Sequence, residues 1–393
     1  MSTHSNLLPP DTGERLKIAR KSVGLTQAEA AAKVGVARTT LVAIEKGQRN
    51  VRNDELHQFS KIYDTTINSL LRRESVHVDL APRFRRLNSS TETGAEAAVE
   101  LMSTLARAEV EMECLLGIHR AKNYPPERPI MPGNARMQAE QDAAEFRQRL
   151  GLGIGPIPDI ITLLEMELGV RVYVRKLDRR ISGLFAYDDV VGPCILLNAN
   201  HPHTRRAQTA AHECGHFVST RRETEVLHVD EAETSREERY ACAFGRALLT
   251  PDRGVTQHFR QVVSGSRQLT RRHVIVLAHI FGVSREAMVR RLEELKLVKI
   301  GTWRWFEDNG GITDVQARQV LGDLQARDSS RAEETRPTTL RLSLMVAEVY
   351  RRSLLSEGQL ARLLQVSRFD IRRILQNLEM EEGPDDQIEN ILG

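Results

Sequence analysis

Apolar side chains recur every three or four residues over most of the chain, which is typical of amphipathic helices. Between residues 95 and 119 this spacing predicts one long helix, and shorter helices are predicted over 137–150 and 158–168. Only one region alternates as strands do. Its three predicted strands are "VRVYV" (170–174), "ISGLFAY" (181–187) and "CILLN" (194–198). Helical spacing then continues to about residue 297 and resumes after Gly301. The pattern predicts a predominantly helical α+β protein with a small β-sheet.

Composition narrows the class of protein. Hydrophobic residues make up 40% of the chain and charged residues 28%, as in ordinary soluble proteins. The apolar run "DIITLLEMELGV" is too short and too charged to span a bilayer, and the N-terminus lacks the pattern of a secretory signal. The four cysteines stand far apart and are expected to be reduced thiols. We therefore expect a cytoplasmic protein that does not contact a membrane.

Residues 26–49 have the layout of a helix-turn-helix motif. Thr26 is a candidate N-cap with Glu29 as its capping-box partner, and Gly35 suits the positive φ of the turn. In such motifs the second helix contacts the bases in the major groove, and the start of the first helix can contact a phosphate. The predicted DNA-contacting residues are Gln27, Arg38, Thr39 and Ala43.

The distribution of charge supports a nucleic-acid partner. Residues 1–73 contain 12 Lys and Arg against 7 Asp and Glu, whereas the whole chain has a net charge of only +3. Residues 13–71 resemble the XRE, or lambda-repressor-like, family, including "IEKG" after the second helix. The resemblance implies a five-helix bundle that binds double-stranded operator DNA, usually as a homodimer. The alternative is a helix-turn-helix that serves only for protein contact.

The segment "TAAHECGHFVST" (209–220) contains the pattern His212-Glu213-x-x-His216. Residues four apart share a helix face, so both imidazoles can bind one Zn²⁺. Glu213 is rotated by about 100° from His212 and is the candidate general base toward a metal-activated water. Five-residue patterns recur by chance, and the alternative is two core histidines satisfied by hydrogen bonds.

A catalytic zinc site needs a third protein ligand, and the helix predicted from Ser235 onward offers candidates. Glu238 begins a stripe of small residues that can pack closely on the histidine helix. The same glutamate could instead complete a capping box with Ser235. Glu237 is the rival ligand, because the next stripe of that helix is also apolar.

Together, "TAAHECGH", the preceding "ILLNAN" and "EERYACAFGRALLTP" resemble the ImmA/IrrE family of zinc metallopeptidases. The resemblance covers roughly 137–297 and implies a gluzincin-like fold with Glu238 as the third ligand. The sequence departs from the family at Cys242, where Asn is usual, and at Gly245, where Ala is usual. Neither residue is expected to carry the chemistry, but both can change the spacing between the two helices. The resemblance also implies that the strand "CILLN" lies at an edge of the sheet, where an extended substrate can bind.

Family members cut a partner repressor of the XRE class and lift repression after DNA damage or another stress. The resemblance thus implies a DNA-binding regulator with a zinc endopeptidase domain that cleaves such a repressor or itself in a stress, phage-related or defence context. Single-stranded DNA is a possible activator. The alternative is a non-proteolytic transcription factor whose zinc domain is a sensing or dimerisation scaffold. A weaker alternative is an antitoxin-like protein that binds a toxin through its C-terminal helices.

Four regions are predicted along the chain. They are an XRE-type domain (1–75), a linker with the long helix (76–130), a peptidase domain (131–300) and a C-terminal helical region (301–393). Helix pairs that resemble a helix-turn-helix recur three times, the last over 355–378. One face of that last pair is basic and could touch nucleic acid, although a charged helix face is more often simply solvated. The arginines on this face are Arg362, Arg368, Arg372 and Arg373.

Overall fold

The computed structural model describes residues 12–65, 67, 70, 93–222, 225–228, 235–266, 268–322 and 338–378. These residues fold as two compact units, which divide between positions 77 and 78. The acidic C-terminal stretch that follows residue 378 lies outside the described residues. Among the described helices, none is long and apolar enough to cross a membrane.

The N-terminal unit is a helical bundle around a single apolar core. Its helices are α1 (Thr12–Ser22), α2 (Gln27–Val34), α3 (Arg38–Glu45) and α4 (Asn53–Ile62). Residues 67 and 70 are also helical, and the remainder of the predicted fifth helix lies outside the described residues. The predicted predominance of helix is confirmed for this unit.

The turn between α2 and α3 has the conformation that its sequence predicts. Thr26 and Glu29 form the predicted capping box. Gly35 ends α2 with φ +81°, a left-handed conformation that glycine adopts without a Cβ clash. Leu41 and Ile44 of α3 are then fully buried against the first helix of the motif. These apolar contacts fix the angle between the two helices.

The second unit is mostly helical. Its helices up to residue 294 are α5 (Thr93–Leu116), α6 (Ala135–Arg149), α7 (Ile160–Met166), α8 (His203–Ser219), α9 (Arg236–Leu249), α10 (Asp252–Val262), α11 (Arg271–Phe281) and α12 (Arg285–Glu294). The remaining helices are α13 (Thr302–Asp308), α14 (Asp314–Leu321), α15 (Leu340–Arg351), α16 (Glu357–Leu363) and α17 (Arg368–Leu378). The predicted helices over 95–119, 137–150 and 158–168 correspond to α5, α6 and α7.

A four-stranded sheet lies within this unit, in the order β1-β3-β2-β4. Its strands are β1 (Arg171–Arg175), β2 (Ile181–Asp188), β3 (Gly192–Asn198) and β4 (Glu225–His228). The "CILLN" strand, β3, pairs in parallel with β1 and antiparallel with β2. It is therefore an interior strand, and the expectation that it offers an edge to a substrate is wrong. The edges of the described sheet are β1 and β4, and β4 was not predicted.

The two faces of the sheet carry different helices. Val172 of β1 and Ile195 of β3 join the apolar core that includes α6, α8 and α9. Tyr173 alternates to the other face, where its hydroxyl donates to Glu109 of α5 at 2.6 Å. The histidine helix and the long helix α5 thus pack on opposite faces of one sheet. The apolar stripe of α5 is buried within the chain.

Candidate metal centre and DNA-binding surface

The histidine-bearing helix α8 is the most buried helix in its surroundings. Thirteen of the fourteen residues from Arg206 to Ser219 are buried, because the helix lies between the sheet and α9. His212 and His216 are one turn apart and only 6% and 1% exposed. Their rings meet edge to face with centroids 4.9 Å apart. Both imidazoles therefore point in one direction within a nearly dry site.

Helix α9 brings a carboxylate to this point through close backbone contact. A Cβ atom at Gly245 would lie 2.8 Å from the amide nitrogen of His212, and one at Gly215 would lie 2.8 Å from the Cα of Ala241. Neither position can carry a side chain without a shift of backbone. The predicted close packing of small residues between these two helices is confirmed.

Glu238 lies on the face of α9 that meets the histidines. Its amide donates to the Ser235 hydroxyl at 3.0 Å, so Ser235 is the N-cap. The Glu238 carboxylate does not complete the capping box but faces His212 at 3.4 Å and His216 at 3.1 Å. Glu237, the rival ligand in the sequence, is half-buried, and the described ion pairs of both histidines are with Glu238.

The two imidazoles and the Glu238 carboxylate form a triangle of three facing groups. The two Nε2 atoms are 3.1 Å apart, His212 Nε2 lies 3.4 Å from Oε2 of Glu238, and His216 Nε2 lies 3.1 Å from Oε1 of the same carboxylate. In a tetrahedral zinc site with bonds of about 2.0–2.1 Å, ligand atoms are about 3.3 Å apart. These separations match the edges of such a tetrahedron. Two imidazoles and one carboxylate that leave a fourth position open are also the donor set of known catalytic zinc sites.

The far nitrogen of each ring is held by another side chain. His216 Nδ1 lies 3.2 Å from the hydroxyl of Thr220, and His212 Nδ1 lies 3.5 Å from the thiol sulfur of Cys242. Contacts of this kind fix the ring orientation and favour the tautomer whose Nε2 carries a lone pair. Both Nε2 atoms are thereby directed at Glu238.

Cys242 is the residue of this site that sequence reasoning missed. Ligand-type atoms of His212, Glu238 and Cys242 lie within 4.8 Å of one another. Because the sulfur approaches Nδ1 rather than Nε2 of His212, it lies behind the ring and not at the centre of the triangle. The spacing of four residues from Glu238 could have revealed it, since it places both on one helix face. Cys214, in contrast, is fully buried in the apolar core, as expected.

Burial sets the charge of the site. It lowers the pKa of His212 to about 3, and the neighbouring His216 adds to this effect while Glu238 opposes it. Burial also opposes ionisation of Glu238, but the hydrogen bond from His216 and the charges of both histidines bring its pKa below the usual value. Near neutral pH the site therefore combines a neutral His212 with a carboxylate, which are the forms that bind a metal.

Glu213 follows His212 on α8 and is completely buried. It lies on the side of the helix that faces β2, where a Cβ atom at Gly183 would be 3.3 Å from its Oε1. The absence of a side chain at Gly183 leaves room for this carboxylate between helix and sheet. Glu213 therefore lies beside the triangle of donors and does not belong to it.

Three candidates in this domain have the chemistry to donate a hydrogen bond to the transition state of a peptidase: Tyr240, His201 and His228. The Tyr240 hydroxyl donates to Asp142 at 2.8 Å inside the apolar core, which is a packing role. His201 is half-buried in the loop between β3 and α8, two residues before the helix begins. The side chain of the third candidate, His228, lies outside the described residues.

The predicted DNA-contacting residues belong to α2 and α3 of the N-terminal unit. Arg38 and Thr39 are exposed at the first turn of α3, and Ala43 is half-buried one turn further. Gln27 donates through its amide to Glu45 at 2.8 Å, and Glu45 accepts from buried Arg20 at 2.6 Å. The start of α2 is thus tied to the end of α3, which orders the surface that carries Arg38 and Thr39.

Fold and site together define a class of protein: a helix-turn-helix domain joined to a peptidase-type α+β domain. Residues 165–293 match the family model of the IrrE N-terminal-like domain, a peptidase family, and residues 16–70 match that of the helix-turn-helix family. The chain therefore combines a region similar to XRE-type helix-turn-helix domains with a region similar to ImmA/IrrE-like peptidase domains, as the sequence predicts. No protein of curated function gave a significant match to this chain.

Proposed function

We propose that this protein is a DNA-binding regulator whose second unit is a zinc-dependent endopeptidase. The observation that carries the proposal is the triangle formed by His212, His216 and Glu238, whose edges of 3.1–3.4 Å suit a tetrahedral zinc ion. The peptidase family matched by residues 165–293 supports the same chemistry. The helix-turn-helix domain supports binding to double-stranded DNA.

The proposed reaction is hydrolysis of a peptide bond. A zinc ion held by His212, His216 and Glu238 would polarise the scissile carbonyl and make water a stronger acid. Glu213, buried beside the triangle, accepts the proton from water and then delivers it to the leaving amine. Thr220 and Cys242 hold the histidine rings in place during this transfer. The low exposure of all four site residues keeps bulk water away from the reacting groups.

The substrate we propose is an extended segment of an XRE-type repressor or of this chain itself. An extended peptide can add to a sheet through main-chain hydrogen bonds at an edge strand. Among the described strands, β4 is the edge next to β2, and β2 packs on α8 near Glu213. We therefore assign substrate pairing to the β4 edge rather than to β3.

The test incubates the full chain and zinc with candidate XRE repressors encoded near its gene. Wild type and Glu213→Gln are compared with and without single-stranded DNA, and mass spectrometry maps any fragments. Glu213→Gln keeps the shape of the side chain and removes the base, so we expect at least a roughly hundredfold loss of cleavage. Equal fragmentation by both proteins overturns the assignment of Glu213. Stoichiometric zinc without any cleavage by the wild type favours the alternative, a sensing or dimerisation scaffold.

A further inference from the structure

The C-terminal helix pair α16–α17 repeats the N-terminal pair α2–α3 at a constant distance of 330 residues along the chain. Thr26 and Ser356 are both N-caps in capping boxes, with Glu29 and Gln359 as the partners. Both pairs are joined by a turn of three or four residues. The two pairs therefore begin with the same local structure.

The turns also agree. Gly35 has φ +81° and its counterpart Gln365 has φ +51°, so both are left-handed. In each turn the next residue, a valine, donates its amide to a carbonyl five residues earlier at 3.0 Å. A left-handed glutamine carries a conformational penalty that glycine avoids. The C-terminal pair keeps this turn despite the penalty, because the apolar residues on either side of it are buried.

The second helices of the two pairs bury and expose equivalent positions. Ile371 and Ile374 of α17 are buried as Leu41 and Ile44 are in α3. The first two positions of α17, Arg368 and Phe369, are exposed, as are the corresponding residues of α3. Phe369 is 72% exposed, which is unusual for so large an apolar side chain.

The middle helix pair, α11–α12, shows that the turn alone does not create a binding surface. Gly282 has φ +62°, and Val283 donates to Ala278 at 3.0 Å, so the turn is the same. However, Arg291 of α12 is buried and donates to the Thr250 carbonyl at 2.9 Å. The second helix of this pair is used for packing inside the unit. At the start of α12, Arg285 is half-buried and pairs with Asp314, whereas its counterparts Arg38 and Arg368 are exposed.

We propose that the C-terminal pair is a second binding site for double-stranded DNA, with Arg368, Phe369 and Arg372 directed at the major groove. Residues 356–378, which form this pair, contain four arginines and two carboxylates, so the surface of the pair attracts phosphate. Arginine is the residue that most often contacts guanine edges, and an apolar side chain can contact the thymine methyl group. This combination favours DNA over an apolar protein partner.

Two arginines of α17 already contact carboxylates. Arg372 donates to Glu357 at 2.9 Å and Arg373 to Asp370 at 3.4 Å. The Arg372 side chain is 62% exposed in this pair. Exposed ion pairs stabilise a protein by at most about 1 kcal/mol, so exchange of Glu357 for a phosphate is energetically accessible. The N-terminal counterpart of Glu357 is the neutral Gln27, and this acidic residue is expected to make the C-terminal site the weaker of the two.

The test measures binding of the full chain to a fluorescent random-sequence duplex over a series of salt concentrations. All proteins carry Arg38→Ala and Thr39→Ala, which weaken the N-terminal surface. Arg368→Ala/Arg372→Ala is compared with Arg351→Ala/Arg352→Ala, a matched control that removes two arginines at the C-terminal end of α15. We expect the first pair to bind roughly tenfold more weakly and to lower the slope of log K against log salt by about 1.8, at about 0.9 per phosphate contact.

Equal affinity and slope for the two double variants overturn the proposal. A change in molar mass by light scattering, with unchanged DNA binding, identifies the face as a protein contact and also overturns it. The variant Arg368→Lys/Arg372→Lys keeps both positive charges and is expected to retain the slope of log K against log salt. It therefore distinguishes a loss of phosphate contacts from misfolding of the alanine variant. Zinc content is expected to be the same in all variants, which separates this test from that of the peptidase.

Discussion

Two buried polar clusters lie on opposite faces of the same sheet, and they are built on different principles. On the α8 face, two imidazoles and one carboxylate direct their lone pairs at a common point. On the α5 face, two carboxylates are surrounded by guanidinium groups. The members of this second cluster, which we call the ionic cluster, are Glu109, Glu113, Arg120, Arg171, Tyr173 and Arg341.

The ionic cluster compensates its own charges. Arg171 donates to Glu113 at 2.7 Å, and Arg341 of α15 lies 2.8 Å from the same carboxylate. Burial alone would raise the pKa of Glu109, but the three arginines and the Tyr173 hydroxyl lower it to about 2. Such a cluster fixes α5, β1 and α15 to each other and needs no further partner.

The metal centre is different because its three groups are all electron-pair donors. Two imidazoles and a carboxylate at 3.1–3.4 Å attract each other only through a proton or a cation that lies between them. The pKa of about 3 for His212 disfavours the proton near neutral pH. A divalent cation, as proposed for this site, would supply the attraction between these groups. The difference between the clusters supports a structural role for the ionic cluster and the proposed metal-binding role for the other.

The largest effect is expected from loss of a donor in the metal centre. Glu238→Ala removes the only carboxylate of the triangle, and we expect zinc affinity to fall by at least about a thousandfold. The matched control, Glu237→Ala, changes the neighbouring half-buried glutamate and should retain stoichiometric zinc. Competition with a chromophoric chelator measures both affinities. Full zinc affinity in Glu238→Ala together with loss in Glu237→Ala would reverse the ligand assignment.

Loss of one cation from the ionic cluster is expected to reduce stability rather than metal binding. Arg171→Met leaves two buried carboxylates undercompensated, and we expect the free energy of unfolding to fall by about 3–5 kcal/mol. The control is Arg222→Met, whose exposed partner is Asp189 at 3.3 Å and whose loss should change stability by less than about 1 kcal/mol. Urea unfolding followed by circular dichroism gives both values. Similar stability of the two variants would show that the ionic cluster is not structural.

The sequence predicts most residues of the candidate metal centre but not the ionic cluster, and the reason is physical. His212, Glu213 and His216 are neighbours on one helix, so their spacing alone predicts a shared site. Glu238 needed the family resemblance, because helical spacing left Glu237 open as well. Cys242 was on the right stripe but was assigned no role, since the contact of its sulfur with one ring nitrogen depends on how closely two helices approach.

The ionic cluster depends on long-range packing in the same way. Glu109 and Arg341 are 232 positions apart and meet only because α5 and α15 share a sheet face. Strand order was also beyond the sequence, where "CILLN" gave no sign of being an interior strand. Helices and caps, in contrast, depend on neighbouring residues and were largely predicted. The Thr26 capping box and the left-handed Gly35 are examples.

A moderate effect is expected from the thiol behind His212. Partners of a ligand's second nitrogen typically change metal affinity by about 10- to 100-fold, and we expect a loss of this size in Cys242→Ala. Cys242→Asn restores a polar partner for Nδ1 and should regain most of the affinity. Cys114→Ala, at an exposed position on α5, is the control. If all three variants bind zinc as the wild type does, the thiol does not position the histidine.

The last effect concerns pH and is expected at Glu165, a buried carboxyl near the ionic cluster that forms none of the described ion pairs. Its described partner is the hydroxyl of Thr339, at the start of α15. Burial raises its pKa from 4.5 to about 8, so the folded protein holds a proton that the unfolded chain releases above pH 4.5. This group therefore favours the folded state most at low pH, and its contribution is lost as the pH rises from about 4.5 to 8.

Glu165→Gln stays neutral and should remove this dependence. We expect the decline in unfolding free energy between pH 5 and 8 to become shallower by about 1 kcal/mol per pH unit. The control Glu167→Gln changes an exposed residue two positions later and should leave the slope as it is. Urea unfolding at a series of pH values measures the slopes. An unchanged slope in Glu165→Gln would mean that Glu165 is ionised in the folded protein and is compensated as Glu109 and Glu113 are.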